Sequence, residues 1–189
     1  MAQLNEFIKQ LKPGRVYRRA EIINSAKLSN RHLKQLQENG ILQKLYAGIY
    51  FCPKESTFGN VPPEENDLIR CFLKGERFLL HSFNSYNSLG VGTTQLYNQR
   101  IIYNHKRHGN YKLGNRVFHF CIRIHFPKKL TEEFLLIDLV NNIYSLAEDR
   151  NEVLKHVFSK ACKMNKQKIR RSISMYGNAK TKRFFASLL

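Results

Sequence analysis

The chain has 189 residues, of which 42% are hydrophobic and 24% charged, so a wholly disordered or fibrous protein is excluded. No run reaches the roughly 18 apolar residues of a membrane-spanning helix, and no signal-peptide pattern opens the chain. We therefore expect a cytoplasmic protein with no membrane partner. Lys and Arg number 32 against 14 Asp and Glu, a net charge of +18 that favours a polyanionic partner. The four scattered cysteines are expected to be reduced and to lie in the core.

The first 55 residues predict three helices followed by a β-hairpin. Apolar spacing indicates helices over 3–12, 18–26 and 30–39. Ser29 is a favourable N-cap for the third helix, and Asn39-Gly40 ends it. Two β-rich runs, 41–45 and 49–51, flank a turn that contains Gly48. This order is typical of a winged helix-turn-helix, which we assign to residues 1–55.

The remainder predicts a second domain, residues 56–189, of α+β class with a helical C-terminus. Residues 53–63 hold three of the five prolines and predict a linker. Next come a helix over 63–74, a strand over 78–81 and a short helix over 82–89. Two β-rich runs follow, and helical periodicity begins after Thr131. The fold class predicted for the whole chain is therefore α+β.

The third helix carries the clearest functional indication. Leu33 and Leu36 are expected to face the core, which leaves a polar outer face near the helix N-terminus. Arg, Asn and Gln read base edges through paired hydrogen bonds, and such residues lie where a recognition helix enters the major groove. The predicted DNA-binding residues, including the preceding helix start and the wing, are Arg18, Arg19, Ser29, Asn30, Arg31, Lys34, Gln35, Lys44 and Tyr46. Because some winged helices bind only proteins, that alternative remains open here.

A second basic surface is predicted near the C-terminus, where Lys155 to Leu189 holds ten basic residues and no acid. If residues 153–171 form one helix, an apolar face opposes a stripe made of Lys155, Lys163, Lys166 and Arg170. Such a stripe could track a phosphate backbone or meet an acidic protein. The alternative is an ordinary solvated helix face, and a break near Asn165 would divide the stripe.

Enzyme, metal and cofactor motifs are absent from the sequence. No phosphate-binding loop or nucleophile elbow occurs. None of the 14 acids is followed two residues later by lysine, and residues 77–131 contain no acid. That scarcity predicts no catalytic carboxylate site in the β-rich core. His105 and His108 lie in a predicted turn without further ligands. We expect no catalytic activity, no metal and no cofactor.

Three stretches resemble the AbiEi family: LQKLYAGIYFCPK at the wing, HSFNSYNSLGVGTTQ after the linker and YGNAKTKRFFASLL at the end. This family comprises antitoxins of type IV toxin–antitoxin systems, related to bacterial abortive-infection loci. The resemblance implies a winged helix that binds repeats in its own promoter and represses its operon. It also implies a C-terminal domain that counters a nucleotidyltransferase toxin encoded next door. The positions that match the DNA-reading helix are Asn30, Arg31, Lys34 and Gln35.

The sequence thus predicts a DNA-binding transcriptional regulator of the antitoxin type that binds double-stranded DNA and is not an enzyme. The alternative is an RNA-binding protein without catalytic activity, because the positive charge extends into the second domain. In that case Tyr97, Tyr103 and Tyr111, which flank basic residues, would stack on bases. A nucleic-acid enzyme and a protein–protein scaffold are further rivals.

Overall fold

The computed structural model describes residues 2–26, 28–57 and 59–188, and it has an α+β architecture. The chain forms two compact units, Met1–Glu76 with Asn110–Phe118, and Arg77–Gly109 with His119–Leu189. The predicted division into domains 1–55 and 56–189 concerns independent folding and stays a prediction.

The first unit opens with helices and strands in the order that the sequence predicts. Its elements are α1 (Ala2–Gln10), β1 (Val16–Arg18), α2 (Arg19–Ala26), α3 (Asn30–Glu38), β2 (Gln43–Tyr46) and β3 (Ile49–Phe51). The three strands form an antiparallel sheet in the order β1-β3-β2. Apolar residues from all three helices and from the sheet share one core, centred on Ile22, Leu36 and Leu42. Burial of these apolar side chains holds the helices against the sheet.

A second hairpin occupies the segment predicted to be a linker. Strands β4 (Lys54–Ser56) and β5 (Gly59–Val61) pair antiparallel, with every described residue of both strands exposed. Gly59 takes a φ of 103°, which L side chains rarely adopt, and its carbonyl accepts the Ser56 hydroxyl. The prolines lie on either side of the hairpin and do not interrupt its strands. The prediction of an irregular linker rested on the clustering of these prolines alone. Helix α4 (Glu65–Leu73) follows.

The second unit packs helices against a sheet. The next elements along the chain are β6 (Phe78–His81), a 3₁₀ helix (Phe83–Leu89), β7 (Arg100–Asn104), β8 (Gly109–Leu113), β9 (Arg116–Ile122) and α5 (Glu132–Asn142). The strand order is β6-β7-β9-β8. The first unit includes Asn110–Phe118, so the chain passes from one unit to the other after Glu76, after Gly109 in β8 and after Phe118 in β9. Helix α5 is buried from Phe134 to Val140 and forms the centre of the second unit's core.

The C-terminal helices differ from the single long helix considered for the basic stripe. A 3₁₀ turn (Ile143–Ser145) leads to α6 (Arg150–Lys163), α7 (Lys166–Tyr176), α8 (Ala179–Phe184) and a final 3₁₀ turn (Ala186–Leu188). Asn165 caps α7 by accepting hydrogen bonds from the backbone N–H groups of Gln167 and Lys168. This cap starts a new helix and ends the continuous helical period across residues 153–171.

The expectation that Cys162 lies in the core is also wrong, because its side chain is exposed.

Candidate nucleic-acid interface

Helix α3 is held in place by its cap and by two buried leucines. The Ser29 side chain accepts from the His32 backbone N–H, and the His32 ring accepts from the Ser29 N–H, so the two residues cap the helix reciprocally. Leu33 and Leu36 are buried, at 4% and 1% exposure. The predicted cap and the predicted core face of this helix are both confirmed.

The opposite side of α3, which we call the α3 face, consists of Asn30, Arg31, Lys34 and Gln35. The first three are not buried, and Gln35 is half-buried. The Lys34 ammonium lies 3.6 Å from the Glu38 carboxylate, with both side chains mostly in solvent. Exposed pairs of this kind contribute little stability, so Lys34 can exchange Glu38 for another anion at small energetic cost.

Arg19 connects the start of α3 to the turn between β2 and β3. Its guanidinium donates to Asn30 Oδ1 at 2.8 Å, and its backbone N–H donates to the Gly48 carbonyl, also at 2.8 Å. The N-terminus of α3, the first residue of α2 and the hairpin turn therefore lie together at one edge of the first unit. The Arg19 guanidinium retains N–H groups for a further acceptor, because only one of its five N–H groups is needed for the hydrogen bond to Asn30.

Arg18 and Tyr46 have structural partners that their sequence positions did not indicate. The Arg18 guanidinium forms an ion pair with Glu21 at 2.8 Å and is only half exposed. It lines a cavity of about 540 Å³ together with residues of α4, among them Arg70 and Cys71. Arg70 is itself paired with Asp67 and Glu76, and burial raises the pKa of the Cys71 thiol to about 11. The positive charges of Arg18 and Arg70 are thus already balanced by acids.

The Tyr46 ring packs edge-on against Phe72, with ring centroids 5.2 Å apart. Lys44 lies two positions earlier in β2 and is exposed. Of the two residues predicted for the wing, Lys44 is therefore the one whose charge faces solvent, and Tyr46 contributes to packing.

The predicted second basic surface is divided between two helices. Lys155 and Lys163 belong to α6, Lys166 and Arg170 to α7, and all four are exposed. Because α6 ends before Asn165, the uninterrupted stripe is wrong in its geometry. Arg170 Nε donates to the Leu188 carbonyl at 2.8 Å, which ties the end of the chain to α7.

A buried polar cluster in the second unit was not predicted from the sequence. Tyr86 Oη donates to Asp138 Oδ2 at 2.7 Å, and Tyr103 Oη donates to Asp138 Oδ1 at 2.9 Å. The Asn142 amide donates to both tyrosine oxygens, at 3.1 and 3.2 Å. Although residues 77–131 contain no acid, α5 brings the Asp138 carboxylate to this β-rich segment. The expectation of no catalytic carboxylate site stays a prediction. The available signal was a lone Asp inside the apolar run FLLIDLV.

Burial governs the protonation of this cluster. It raises the pKa of Tyr86 and of Tyr103, and the Asp138 charge adds to both shifts. His81 lies with Nε2 3.9 Å from Asp138 Oδ2, and burial lowers its pKa more than the carboxylate raises it. Neither ring nitrogen of His81 has a hydrogen-bond partner among the described residues. The histidine is therefore neutral at pH 7, and the cluster holds the sheet against α5.

The three tyrosines proposed for base stacking are engaged in packing. Tyr103 is 2% exposed within the buried cluster. Tyr97 packs edge-on against Phe83 and accepts a hydrogen bond from the Ala147 N–H. Tyr111 packs against Phe72, with ring centroids 4.9 Å apart. Burial excludes Tyr103 from base stacking, whereas Tyr97 and Tyr111 are half-buried, and the RNA-binding alternative stays a prediction.

Among residues 2–26, 28–57 and 59–188, no group of three or more His, Cys, Asp or Glu side chains is placed to hold a metal ion. Within the same described ranges, no helix combines the length and the apolar character needed to cross a membrane. Comparison with protein-family models and with curated proteins yields no match for this chain.

Proposed function

We propose that the first unit is a winged helix-turn-helix that binds double-stranded DNA, and that the protein is a transcriptional regulator of the antitoxin type. In this proposal α2 and α3 form the helix-turn-helix, α3 enters the major groove, and the β2–β3 hairpin is the wing. The protein represses its own operon at promoter repeats and counters a nucleotidyltransferase toxin.

The observation that carries the proposal is the junction at Arg19. It joins the N-terminus of α3 to the hairpin turn through hydrogen bonds to Asn30 and Gly48. A recognition helix uses the residues near its N-terminus to contact base edges, while the preceding helix crosses the backbone. The α3 face and the wing turn are therefore adjacent, as simultaneous groove and backbone contact requires.

Charge supports the same proposal. The net charge of +18 favours association with a polyanion whatever its sequence. Arg31 and Lys34 lie outside the core on α3, and Lys44 is exposed on β2. Arg31 and Gln35 can each form paired hydrogen bonds with a base, whereas Lys44 and Arg19 are suited to phosphate.

The test compares Arg31→Ala and Gln35→Ala with Lys44→Ala on two duplexes, the upstream region of the protein's own gene and a scrambled version. A paired base contact contributes about 1–3 kcal/mol of discrimination, so we expect the first two variants to weaken binding roughly 5- to 150-fold on the upstream duplex alone. Lys44→Ala should weaken binding to both duplexes equally, because phosphate contacts carry no sequence information.

Arg171→Ala serves as the matched control, since Arg171 is an exposed arginine on α7 in the second unit. It should leave binding to the upstream duplex unchanged. Equal weakening on both duplexes for Arg31→Ala and Gln35→Ala would contradict base reading by α3. Affinity that does not change with salt concentration would contradict nucleic-acid binding altogether.

The antitoxin part of the proposal has a separate test, because the resemblance alone supports it. Expression of the nucleotidyltransferase toxin should arrest growth, and co-expression of this chain should restore it. A chain carrying Arg31→Ala should still protect if the second unit provides the antitoxin activity. Absence of protection by the unmodified chain would contradict this part and leave DNA binding intact.

A further inference from the structure

An exposed tyrosine in the second unit has two cations against its ring. Tyr144 belongs to the 3₁₀ turn between α5 and α6 and has 66% of its surface exposed. The Arg150 guanidinium carbon lies 4.9 Å from the ring centroid, and Lys180 Nζ lies 5.1 Å from it. Ile143 and Leu146 on either side are buried and anchor the turn. The ring is therefore held outward on a fixed support.

Arg150 belongs to α6 and Lys180 to α8, and the same two helices line an apolar groove. Arg150 begins α6, and the groove is lined further along that helix by Leu154 and Phe158. Lys180 lies four residues before Phe184 in α8, and the Phe158 and Phe184 rings pack edge-on at 6.0 Å. Because residues four apart share one side of a helix, Lys180 and Phe184 present to the same surface. The cations beside Tyr144 and the walls of the groove are thus carried by the same two helices.

The groove has a volume of about 570 Å³, and its remaining lining residues are Asn151 and Lys155. Both are exposed, so an amide and an ammonium group stand beside the apolar walls. We call this surface the α6–α8 face and define it by Tyr144, Arg150, Asn151, Lys155, Phe158, Lys180 and Phe184.

Positive charge outweighs negative charge around the face. Glu148 and Asp149 come directly before Arg150, and their carboxylates accept hydrogen bonds from the backbone N–H groups of Thr94, Gln95 and Glu152. No Asp or Glu occurs between Lys155 and Leu189, while α8 adds the exposed Lys182 and Arg183 to its surroundings. Glu152, the acid in the first turn of α6, is two residues after Arg150 and so about 200° round the helix from it. It therefore points away from Arg150, although it lies beside Lys155, three residues later on the helix surface.

We propose that the α6–α8 face binds single-stranded nucleic acid, with one unpaired base stacked on Tyr144 in place of a cation, which then meets a phosphate, and another base in the groove. Proteins that bind single strands combine a positive track for phosphates with aromatic rings on which bases stack. Arg150, Lys155 and Lys180 supply the charge, and the Asn151 amide can donate to and accept from a base edge. A purely acidic protein would use the cations but would leave the exposed ring and the apolar groove unmatched. The site is separate from the α3 face and does not depend on it.

The experiment measures fluorescence anisotropy of labelled oligo(U) and oligo(dT) with the full chain and its variants. Stacking of one base contributes about 1–3 kcal/mol, so Tyr144→Ala should weaken binding of both oligonucleotides by roughly 5- to 150-fold. Tyr144→Phe keeps the ring and should bind like the unmodified protein. Arg150→Gln with Lys180→Gln should weaken binding and reduce the salt slope by about 0.7 for each phosphate that the variant no longer neutralises.

The matched control replaces two exposed lysines of the same unit, Lys128→Gln with Lys129→Gln. It removes the same amount of positive charge as the Arg150/Lys180 pair. This control should bind as the unmodified protein does. Equal weakening by the control and by the Arg150/Lys180 pair would overturn the proposal, because binding would then follow net charge alone. Equal affinities of Tyr144→Ala and Tyr144→Phe for the oligonucleotides would overturn the proposal as well.

Two further arms separate this proposal from its rivals. Polyglutamate should compete poorly, and displacement of oligo(U) by an equal charge concentration of polyglutamate would overturn the assignment in favour of an acidic partner. Arg31→Ala should leave oligo(U) binding unchanged, so failure of DNA reading by α3 is measured independently. Circular dichroism of each variant verifies the fold, which a substitution at an exposed position such as Tyr144 should not disturb.

Discussion

Replacing Tyr86 or Tyr103 by phenylalanine removes a hydroxyl that donates to the buried Asp138 carboxylate. The donor–acceptor distances are 2.7 Å for Tyr86 and 2.9 and 3.1 Å for Tyr103, and Asp138 is 2% exposed. A hydrogen bond to a charged group contributes about 1.5–3 kcal/mol, and water cannot replace a donor inside the core. We therefore expect the free energy of unfolding to fall by about that much in each single variant.

The double variant should be destabilised by more than the two singles together. After one substitution the remaining tyrosine still donates to the carboxylate, and after two substitutions neither hydroxyl is present. Groups that share one partner show coupling energies of about 0.5–3 kcal/mol. The expected total of roughly 4–9 kcal/mol is a large share of the 5–15 kcal/mol that stabilises a typical domain. The double variant should therefore be close to unfolded at physiological temperature.

Far-UV circular dichroism during urea and thermal unfolding is the suitable assay, because the chain has no tryptophan. A destabilisation of about 1 kcal/mol lowers Tm by about 2–4 °C in a chain of this size, so each single variant should melt roughly 3–12 °C earlier. Tyr144→Phe is the matched control: it removes the same hydroxyl from an exposed ring and should change stability by less than about 0.5 kcal/mol. Effects of Tyr86→Phe and Tyr103→Phe no larger than this control would refute the structural role of the cluster.

Further predictions concern protonation and helix α3. Burial lowers the pKa of His81, so below pH ~6.5 the unfolded chain takes up a proton that the folded protein excludes. Stability should therefore fall on acidification by at most about 1.4 kcal/mol per pH unit, and His81→Leu should reduce that slope in thermal melts from about pH 7.5 to about pH 5. Ser29→Ala should lower the free energy of unfolding by about 0.5–2 kcal/mol because it removes the α3 cap, and an unchanged urea midpoint would contradict the capping role. Leu36→Ala should cost about 2–5 kcal/mol because it opens a cavity in the first core, whereas Gln37→Ala on the same helix should cost less than half as much.

Much of the first unit could be predicted from the sequence because its signals are local. Leu33 and Leu36 fall three residues apart, and Ser29 precedes them at the capping position, so the helix, its boundary and its buried side follow from neighbouring residues alone. The hairpin turn at Gly48 is equally local, since the residue adopts a φ of 74° that glycine tolerates. The polar α3 face is the complement of that buried side, and it too could be identified from spacing.

The partners of the charged and aromatic residues were decided by tertiary structure. Tyr103 and Tyr144 are both tyrosines in mixed apolar surroundings, yet one is 2% and the other 66% exposed. The difference arises because α5 packs over Tyr103 and brings Asp138, 35 residues later in the chain, to its hydroxyl. No local pattern records a contact of that separation.

The C-terminal helices show where local and tertiary information meet. Asn165 is a favourable N-cap, so the break that divides the predicted basic stripe was already present as a local signal. The composition alone also determined that this segment is strongly basic. Which cations stand beside Tyr144 was decided only when α6 and α8 both packed against α5, because Arg150 and Lys180 are far apart in the chain. Burial between distant segments depends on the whole chain, and so the surface that it creates becomes visible only in the folded protein.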